Sequence, residues 1–396
     1  MSGLVTAVRV AIAYDGGAAT IASATLIEAA DPQIGLPVLA GTDGVTLRLR
    51  DPDGMVVFSR TLPDPGTALE IAGDGGALQR LSGGRQRFVV VELPWPGPGS
   101  TIEVRLTRPG IERERPSALM RLAPVRPMGL EGAAPPLVVH PIWGADNPQA
   151  LTLLFLPDGF VVDEMPAFHA VVEQCVRLFG VTEPFAGQTA ALRVAHVDIV
   201  SNESGISGTQ GRDTAFGAHF QPDIDRVILV DQARALKALN SYVPHGSGVA
   251  MVVANTPRYG GSGGGAMVFS CDVRSSEIAL HELGHSAFGL ADEYADAGQS
   301  ATDDPVEPNV CGFGDRARLK WADLVPATTP LPSLNADDPV PSPPPRGIGA
   351  YEGAKYHSRG RFRPAFDCKM RTLGQPFCAV CARTIIGILS RHLSSA

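Results

Sequence analysis

The sequence predicts an N-terminal all-β sandwich over residues 1–125, followed by an α/β domain with a mixed sheet over residues 151–396. Three observations support this prediction. Short β-rich runs separated by turns fill the first part of the chain, a proline-rich stretch follows, and strand-like and helix-like patterns then alternate. With 396 residues, two domains are the natural expectation.

Four runs that favour strands lie in the first part of the chain, at residues 5–12, 45–50, 88–93 and 102–106. Turn clusters separate them, for example at residues 51–54 and 94–99. Short strands with such turns are typical of a β-sandwich. Nothing in this region resembles a functional site. Its expected role is to brace the second domain, with substrate docking or the binding of a carbohydrate or protein as alternatives.

Residues 126–150 are predicted to form a linker and the beginning of the second domain, because prolines cluster there. The next segments alternate between the two secondary structures, which predicts an α/β sheet of mixed direction. Strands are expected at residues 151–156, 192–200, 226–230, 249–254 and 266–270, the last of them at a sheet edge. Helices are expected at residues 165–179, 231–239 and 379–392, and around the motif described below.

Composition excludes several classes of protein. A net charge of −8 disfavours nucleic acid and anionic membranes as partners. No run approaches the ~20 consecutive apolar residues of a membrane span. The first thirty residues lack a basic segment followed by an unbroken apolar core, so no export signal is visible and localisation stays open.

A His-Glu-x-x-His motif runs from His281 to His285. On a helix these two histidines lie one turn apart on one face, which suits a tetrahedral zinc ion. Glu282 then lies where a carboxylate can take a proton from a water held at the metal. Such a short pattern also arises by chance. Here a serine N-cap and apolar flanking residues predict a buried helix, in which these polar side chains would need a metal or polar partners.

A catalytic zinc normally takes three protein ligands and leaves the fourth position for water. Asp292 and Glu293 are the candidates for the third ligand, and Asp292 is favoured. On an uninterrupted helix, Asp292 would lie about 10 Å along the axis from His285, too far for a metal bond. Gly289 is therefore predicted to end the helix in the left-handed conformation, so that the chain turns back. Glu293, if it is not the ligand, is expected to orient a histidine.

Six cysteines are too few for a disulfide scaffold in a chain of this length. Cys378 and Cys381 form a Cys-x-x-Cys pair, and Cys368 is the sole thiol near them in sequence. A closed four-ligand metal site would need another partner from far along the chain. A disulfide of Cys368 with Cys378 or Cys381, or buried free thiols, is therefore favoured over a structural metal.

Two other segments suggest ligand binding only weakly. The glycine-rich residues 260–265 lack the Gly-Lys-Ser/Thr ending of a phosphate loop, which disfavours a nucleotide. Oxygen-bearing side chains that could hold Ca²⁺ cluster downstream, although a solvated acidic loop is favoured. These are Asp303, Asp304, Glu307 and Asn309.

Residues 281–294 resemble the signature of the IgA-specific metalloendopeptidase family, zinc peptidases related in layout to the metzincins. The resemblance covers roughly residues 150–390. It also rests on separated motifs in the same order, at residues 156–160, 259–263, 307–309, 363–364, 368–371 and 377–381. It implies a metzincin-like fold, with Met370 as the methionine of the Met-turn beneath the zinc. Compared with the common metzincin pattern, the glycine and the third ligand each stand one residue later.

The resemblance also implies where substrate would bind. Residues 260–265 would border the upper rim of the cleft, where an extended peptide could add to an edge strand. The segment that precedes the Met-turn should lie at the cleft, and Tyr356, His357 or Arg363 could stabilise an oxyanion. Metzincin relatives often carry a tyrosine two residues after the Met-turn methionine, but that position is Thr372 here.

These observations predict a zinc-dependent endopeptidase that acts on a protein or peptide substrate. One alternative is a zinc hydrolase acting on peptidoglycan peptides or small amides, and another is a binding protein with a non-catalytic metal site. The presence of Glu282 with every expected ligand argues against a decayed site. Immunoglobulin A itself is not implied as the substrate, because specificity lies in loops that vary between relatives.

Overall fold

The computed structural model describes residues 5–393, apart from residues 15–18, 30–43, 63–68, 73–77, 82–86, 108–115, 122–136, 140–146, 148, 209–210, 223–225 and 245–246. The predicted linker at residues 126–150 lies largely outside the described residues. Among the described residues, no helix combines the length and the apolar content needed to cross a membrane.

The first part of the chain forms antiparallel sheets. Its strands are β1 (Val5–Tyr14), β2 (Ala19–Ala29), β3 (Gly44–Arg50), β4 (Val56–Leu62), β5 (Leu69–Ala72), β6 (Leu78–Leu81), β7 (Arg87–Pro94), β8 (Thr101–Thr107) and β9 (Pro116–Arg121). One sheet has the order β2-β1-β7, a second has the order β4-β3-β8-β9, and β5 pairs with β6. Alternate residues of the two larger sheets, such as Val10, Leu47 and Val104, share one buried apolar cluster. The all-β character predicted for this region is therefore present.

The second part of the chain alternates strands and helices. Its strands are β10 (Leu137–Val139), β11 (Leu151–Asp158), β12 (Leu192–Val197), β13 (His219–Phe220), β14 (Ile228–Leu229), β15 (Gly248–Ala254), β16 (Gly261–Ser262), β17 (Ala266–Ser270), β18 (Ala295–Ser300), β19 (Tyr351–Ala354) and β20 (Tyr356–Arg363). The α-helices are α1 (Met165–Val181), α2 (Gln232–Tyr242), α3 (Ser275–Ser286) and α4 (Ala379–Leu389). Short 3-10 helices span Val162–Glu164, Phe185–Ala191, Ala322–Leu324 and Ser390–His392.

The central sheet has the order β10-β12-β11-β15-β17-β16. Strands β12, β11, β15 and β17 are parallel, whereas β10 and β16 run antiparallel to their neighbours. Every residue of β11 is buried, because one face packs against α1 and α3 and the other against α2. The predicted α/β sheet of mixed direction is confirmed. The metzincin-like layout stays a prediction.

The edge of this sheet differs from the prediction. Residues 266–270 were expected at the edge, but β17 lies between β15 and β16, and β16 is the outermost strand. The Gly261 amide donates to the Arg226 carbonyl over 3.0 Å, and Ser262 Oγ donates to the Ile228 carbonyl over 2.5 Å. The outer side of β16 is therefore covered. Strand β16 was not predicted from the sequence, because it has only two residues and lies inside a glycine-rich run.

A buried ion pair joins the first sheet to the region around α2. Arg9 of β1 and Glu92 of β7 pair over 2.9 Å, and each side chain is 2% exposed. Arg9 Nη1 also donates to Asn240 Oδ1 over 3.0 Å and to the Val243 carbonyl over 3.3 Å. Ser247 Oγ donates to Glu92 Oε2 over 2.5 Å. Paired charges thus attach the N-terminal sheet to the α/β region.

Arg9→Ala is expected to lower the free energy of unfolding by about 3–5 kcal/mol, because Glu92 would stay buried without its cation. The double change Arg9→Met with Glu92→Leu is expected to recover most of that loss, since no charge remains unpaired. Urea unfolding of each variant measures the effect. Arg177→Ala, at an arginine that is 69% exposed, is the control and should change stability little. An unchanged Arg9→Ala variant would show that the pair does not anchor the sheet.

Candidate metal centre

Helix α3 carries both histidines of the motif and follows β17 closely. It begins at Ser275, and Arg274 is its N-cap. The predicted serine N-cap is therefore wrong. Ser275 Oγ instead lies 2.8 Å from Ser270 Oγ, a contact that joins the helix to the end of β17. The helix is buried along most of its length, as its apolar residues predicted. The central sheet and α3 therefore hold the motif on rigid elements.

Three ligand-type atoms converge beside α3. The Nε2 atoms of His281 and His285 are 3.0 Å apart, and Asp292 Oδ1 lies 3.3 Å from each of them. Zinc takes nitrogen and oxygen ligands at about 2.0–2.2 Å, so two corners of its tetrahedron are about 3.3 Å apart. The three atoms therefore fit three corners of a zinc coordination sphere, and the same residues form a candidate metal-binding group.

Backbone carbonyls orient both rings. His281 Nδ1 lies 3.1 Å from the Lys369 carbonyl oxygen, and His285 Nδ1 lies 2.6 Å from the Leu290 carbonyl oxygen. A carbonyl oxygen only accepts hydrogen bonds, so each ring carries its proton on Nδ1. The Nε2 lone pairs then face the shared point, as metal ligation requires.

The chain turns back after α3 as predicted. Gly289 adopts φ of 61°, and its amide donates to the His285 carbonyl over 3.1 Å. Asp292 follows this turn and is 2% exposed. Its Oδ2 accepts from the Tyr356 hydroxyl over 2.5 Å, whereas its Oδ1 accepts no hydrogen bond within the described residues. A buried carboxylate oxygen aimed at two imidazole nitrogens is suited to a cation.

Asn309 holds this turn in place. Its Oδ1 accepts from the Ala291 amide, and its Nδ2 donates to the Ala291 carbonyl, each over 2.8 Å. Nδ2 also donates to Glu293 Oε1 over 3.0 Å. This positioning role was not predicted from the sequence, where Asn309 was a candidate calcium ligand. Its place in the motif at residues 307–309 was the available signal, but the partner lies eighteen residues away.

Glu293 points away from the histidines. Its carboxylate meets Asn309 and the Cys381 thiol, which lies 3.2 Å from Oε1. Burial raises the pKa of Glu293 well above its usual range. The structure therefore places Asp292, not Glu293, beside His281 and His285. The expectation that Glu293 orients a histidine is not met in its described contacts.

Glu282 lies on α3 between the two histidines and is 6% exposed. Its Oε2 lies so close to Gly263 that a Cβ atom at Gly263 would collide with it. The glycine-rich residues 260–265 thus allow the chain to pass directly against this carboxylate. The resemblance implies that this run borders the cleft, but a role for Gly263 was not predicted from the sequence.

Residues 368–371 support the underside of α3. Met370 is fully buried, and a Cβ atom at Gly284 would lie only 2.6 Å from its sulfur. The Met370 carbonyl accepts from the Glu293 amide over 2.7 Å. The Lys369 ammonium forms a short ion pair with Glu277 in the first turn of α3. Met370 therefore packs against the helix that carries both histidines, and its identity as a Met-turn methionine stays a prediction.

The structure separates the three candidates for oxyanion stabilisation. Tyr356, at φ of 68°, stands in a strained turn between β19 and β20 that brings its hydroxyl to Asp292. His357 Nδ1 instead meets the Lys355 carbonyl over 2.6 Å, and burial lowers the pKa of His357. The Arg363 guanidinium is buried and donates to backbone carbonyls, including that of Glu352 over 2.9 Å. Of these candidates, Tyr356 is the one whose hydroxyl contacts Asp292, which lies beside the two histidines.

The predicted calcium ligands each have a different partner. Asp303 pairs with Arg361 over 2.5 Å, and Glu307 pairs with Lys355 over 3.2 Å. The Lys320 ammonium donates to three backbone carbonyls of residues 305–310 and lies 3.5 Å from Asp304. Within the described part of the chain, these side chains do not form a group that could hold a metal ion. The positively charged side chains of Arg361, Lys355 and Lys320 thus pair with the acidic groups of this loop.

Comparison with known protein families identifies a match over the second part of the chain. A family model described as IgA Peptidase M64 matches residues 143–341 and 333–389. The match covers more than half of the chain and includes α3, Asp292 and residues 368–371. No curated protein matches the chain.

Proposed function

The chain belongs to the IgA peptidase M64 family and thus to the metallopeptidases, and we propose that it is a zinc-dependent endopeptidase acting on protein or peptide substrates. The convergence of His281 Nε2, His285 Nε2 and Asp292 Oδ1 supports this proposal most directly. Two neutral imidazoles with one carboxylate suit zinc. Three protein ligands would leave a fourth position for water or substrate, as catalytic zinc sites do.

When bound, zinc acidifies water and polarises a carbonyl group. Glu282 is the proposed general base. It accepts a proton from the attacking water and then donates it to the leaving amine. Because Gly263 lies against its carboxylate, Glu282 is confined to a narrow space beside the histidines. Such confinement would keep the proton acceptor within reach of the attacking water.

Tyr356 is the proposed positioning residue for Asp292. Its hydroxyl donates to Oδ2, which leaves Oδ1 beside the two histidines, where it would bind the metal. Lys355 and Tyr356 both have positive φ, and the Lys355 amide donates to the Asp292 carbonyl over 3.0 Å. A backbone hydrogen bond thus holds the turn at Lys355 and Tyr356 against Asp292, the residue that Tyr356 positions. A role for Tyr356 in stabilising an oxyanion would require its hydroxyl to leave Asp292.

The proposal is tested by measuring zinc content together with digestion of an unbiased peptide library. The native protein, the chelator-treated protein and the protein reconstituted with Zn²⁺ are compared. Internal peptide bonds should be cleaved by the first and third samples and not by the second. Cleavage that persists after complete metal removal would overturn the proposal. Release of terminal residues alone would show that the enzyme is an exopeptidase and not an endopeptidase.

Tyr356→Phe is expected to weaken zinc binding at the histidine site about 10–100-fold, because Asp292 loses the hydrogen bond that orients it. Competition with a chromophoric chelator measures the affinity. Tyr242→Phe is a matched control on α2, away from this site. If kcat fell while zinc affinity stayed unchanged, Tyr356 would act on the substrate instead.

Gly263→Ala is expected to reduce kcat/KM about 100-fold, because the added methyl displaces the Glu282 carboxylate. Zinc content should stay at the native value, since the three atoms nearest to the added methyl all belong to Glu282 and none to a proposed ligand. Gly387→Ala on α4 is the matched control, because a methyl group there meets open space. Native activity in Gly263→Ala would show that Glu282 tolerates the displacement.

A further inference from the structure

A second group of ligand-type side chains lies behind the histidines. It consists of Glu293, Cys368, Cys378 and Cys381, and one ligand atom of each lies within 4.8 Å of the others. Cys368 Sγ and Cys381 Sγ are 3.8 Å apart, and Cys381 Sγ is 3.2 Å from Glu293 Oε1. A four-ligand metal site at Cys378 and Cys381 needs a ligand from far along the chain. Glu293, the neighbour of the proposed zinc ligand Asp292, lies in position to be that ligand.

The group is enclosed by three elements. Glu293 follows the turn after α3, Cys368 precedes Met370, and Cys378 and Cys381 stand at the beginning of α4. Glu293, Cys368 and Cys381 are fully buried, and Cys378 is half-buried. Glu293 Oε2 is buried and has no hydrogen-bond partner in the described residues. A carboxylate in this position is costly unless a cation or further donors satisfy it.

The distances agree with tetrahedral coordination by sulfur. Zinc binds thiolates at about 2.3 Å, which places two sulfur ligands about 3.8 Å apart. This equals the separation of Cys368 and Cys381. A disulfide requires sulfur atoms about 2.05 Å apart, and all six cysteines are free in the structure. Of the two alternatives predicted for Cys368, the structure has the free thiol and not the disulfide.

We propose that Glu293, Cys368, Cys378 and Cys381 bind a second, structural zinc ion. Each thiol or carboxyl group of this set that carries a proton would release it to solvent on zinc binding, and no oxidant is required. With four protein ligands the site is closed, as structural zinc sites are. The buried Arg363 guanidinium interacts electrostatically with Glu293 and offsets part of the negative charge of this ligand set.

This site has a consequence for the first one. Asp292 and Glu293 are adjacent, so the structural zinc would fix the backbone that carries a ligand of the catalytic zinc. It would also join that turn to Cys368, whose neighbour Lys369 orients His281 through its carbonyl. Loss of the structural zinc should therefore weaken metal binding at the histidines, whereas loss of the catalytic zinc should leave the structural one in place.

The test is native mass spectrometry with zinc X-ray absorption on the full chain. Wild-type protein purified without chelator should hold two zinc ions, and the double variant His281→Ala/His285→Ala should hold one. The ion that remains in the double variant should show sulfur neighbours at about 2.3 Å. This variant separates the two proposals, because it removes the histidine site and leaves the sulfur site intact.

Cys378→Ser, at the half-buried ligand, should lose the sulfur-bound zinc, whereas Cys271→Ser, outside the group, should keep both ions. Should Cys378→Ser fail to fold, the wild type and the histidine double variant still decide the question. A metal-free histidine variant with intact thiols would overturn the second site. A mass lower by two hydrogens would also overturn it, in favour of a disulfide.

Discussion

Glu282→Gln is expected to lower kcat/KM by at least about 100-fold and up to about 10,000-fold, the range that a general base contributes. Glutamine has nearly the same shape as glutamate, so it fits against Gly263 and leaves α3 undisturbed. It cannot accept a proton from water at neutral pH. The loss should therefore appear in kcat, with zinc content unchanged.

Glu173→Gln on α1 is the control, because this glutamate is 60% exposed. Both variants are assayed on the best substrate from the peptide library, with zinc measured in the same samples. A fully active Glu282→Gln variant would remove Glu282 from the mechanism. A variant that had lost its zinc would show instead that Glu282 supports the metal site.

Asp292→Ala is expected to weaken zinc binding at the histidine site by more than about 100-fold, because it removes a ligand and not merely a partner of a ligand. Activity should fall with zinc occupancy and recover in part when Zn²⁺ is in excess. His285→Ala should behave in the same way. Titration with Zn²⁺, monitored by calorimetry and by peptide cleavage, measures both quantities.

Asp337→Ala is the control, since Asp337 is 71% exposed and pairs with Arg359 on the surface. Glu293→Gln provides the contrast, because Glu293 faces the cysteines and not the histidines. It should reduce zinc binding at the sulfur site first. Strong zinc binding by Asp292→Ala together with loss of the catalytic ion in Glu293→Gln would reverse the assignment of the third ligand.

Local sequence predicted the parts of the site that depend on local geometry. The spacing of His281 and His285 reflects helical periodicity, and Gly289 marks a turn that only a few residues determine. Hydrophobic runs predicted the buried strands of the central sheet for the same reason, since one strand is judged from its own residues. The β10 strand was missed, because it has three residues.

Contacts between distant residues could not be predicted in this way. Tyr356 reaches Asp292 across 64 positions, and its strained turn contains no glycine that would mark it. Glu293 was assigned to the wrong partner because its burial among cysteines depends on how α4 packs. The sheet edge was misplaced because glycines carry no hydrophobic pattern.

The buried pair of Arg9 and Glu92 determines how the protein can be divided for laboratory work. The family match begins at residue 143, which suggests a shorter fragment for expression. Such a fragment would lack Phe88 and Val90, which pack against the buried cluster that includes Leu236 of α2. It would also lack the charges that meet Asn240 and Ser247. Truncation at the family boundary is therefore expected to expose apolar surface of the α/β region, and the N-terminal sheets should be retained.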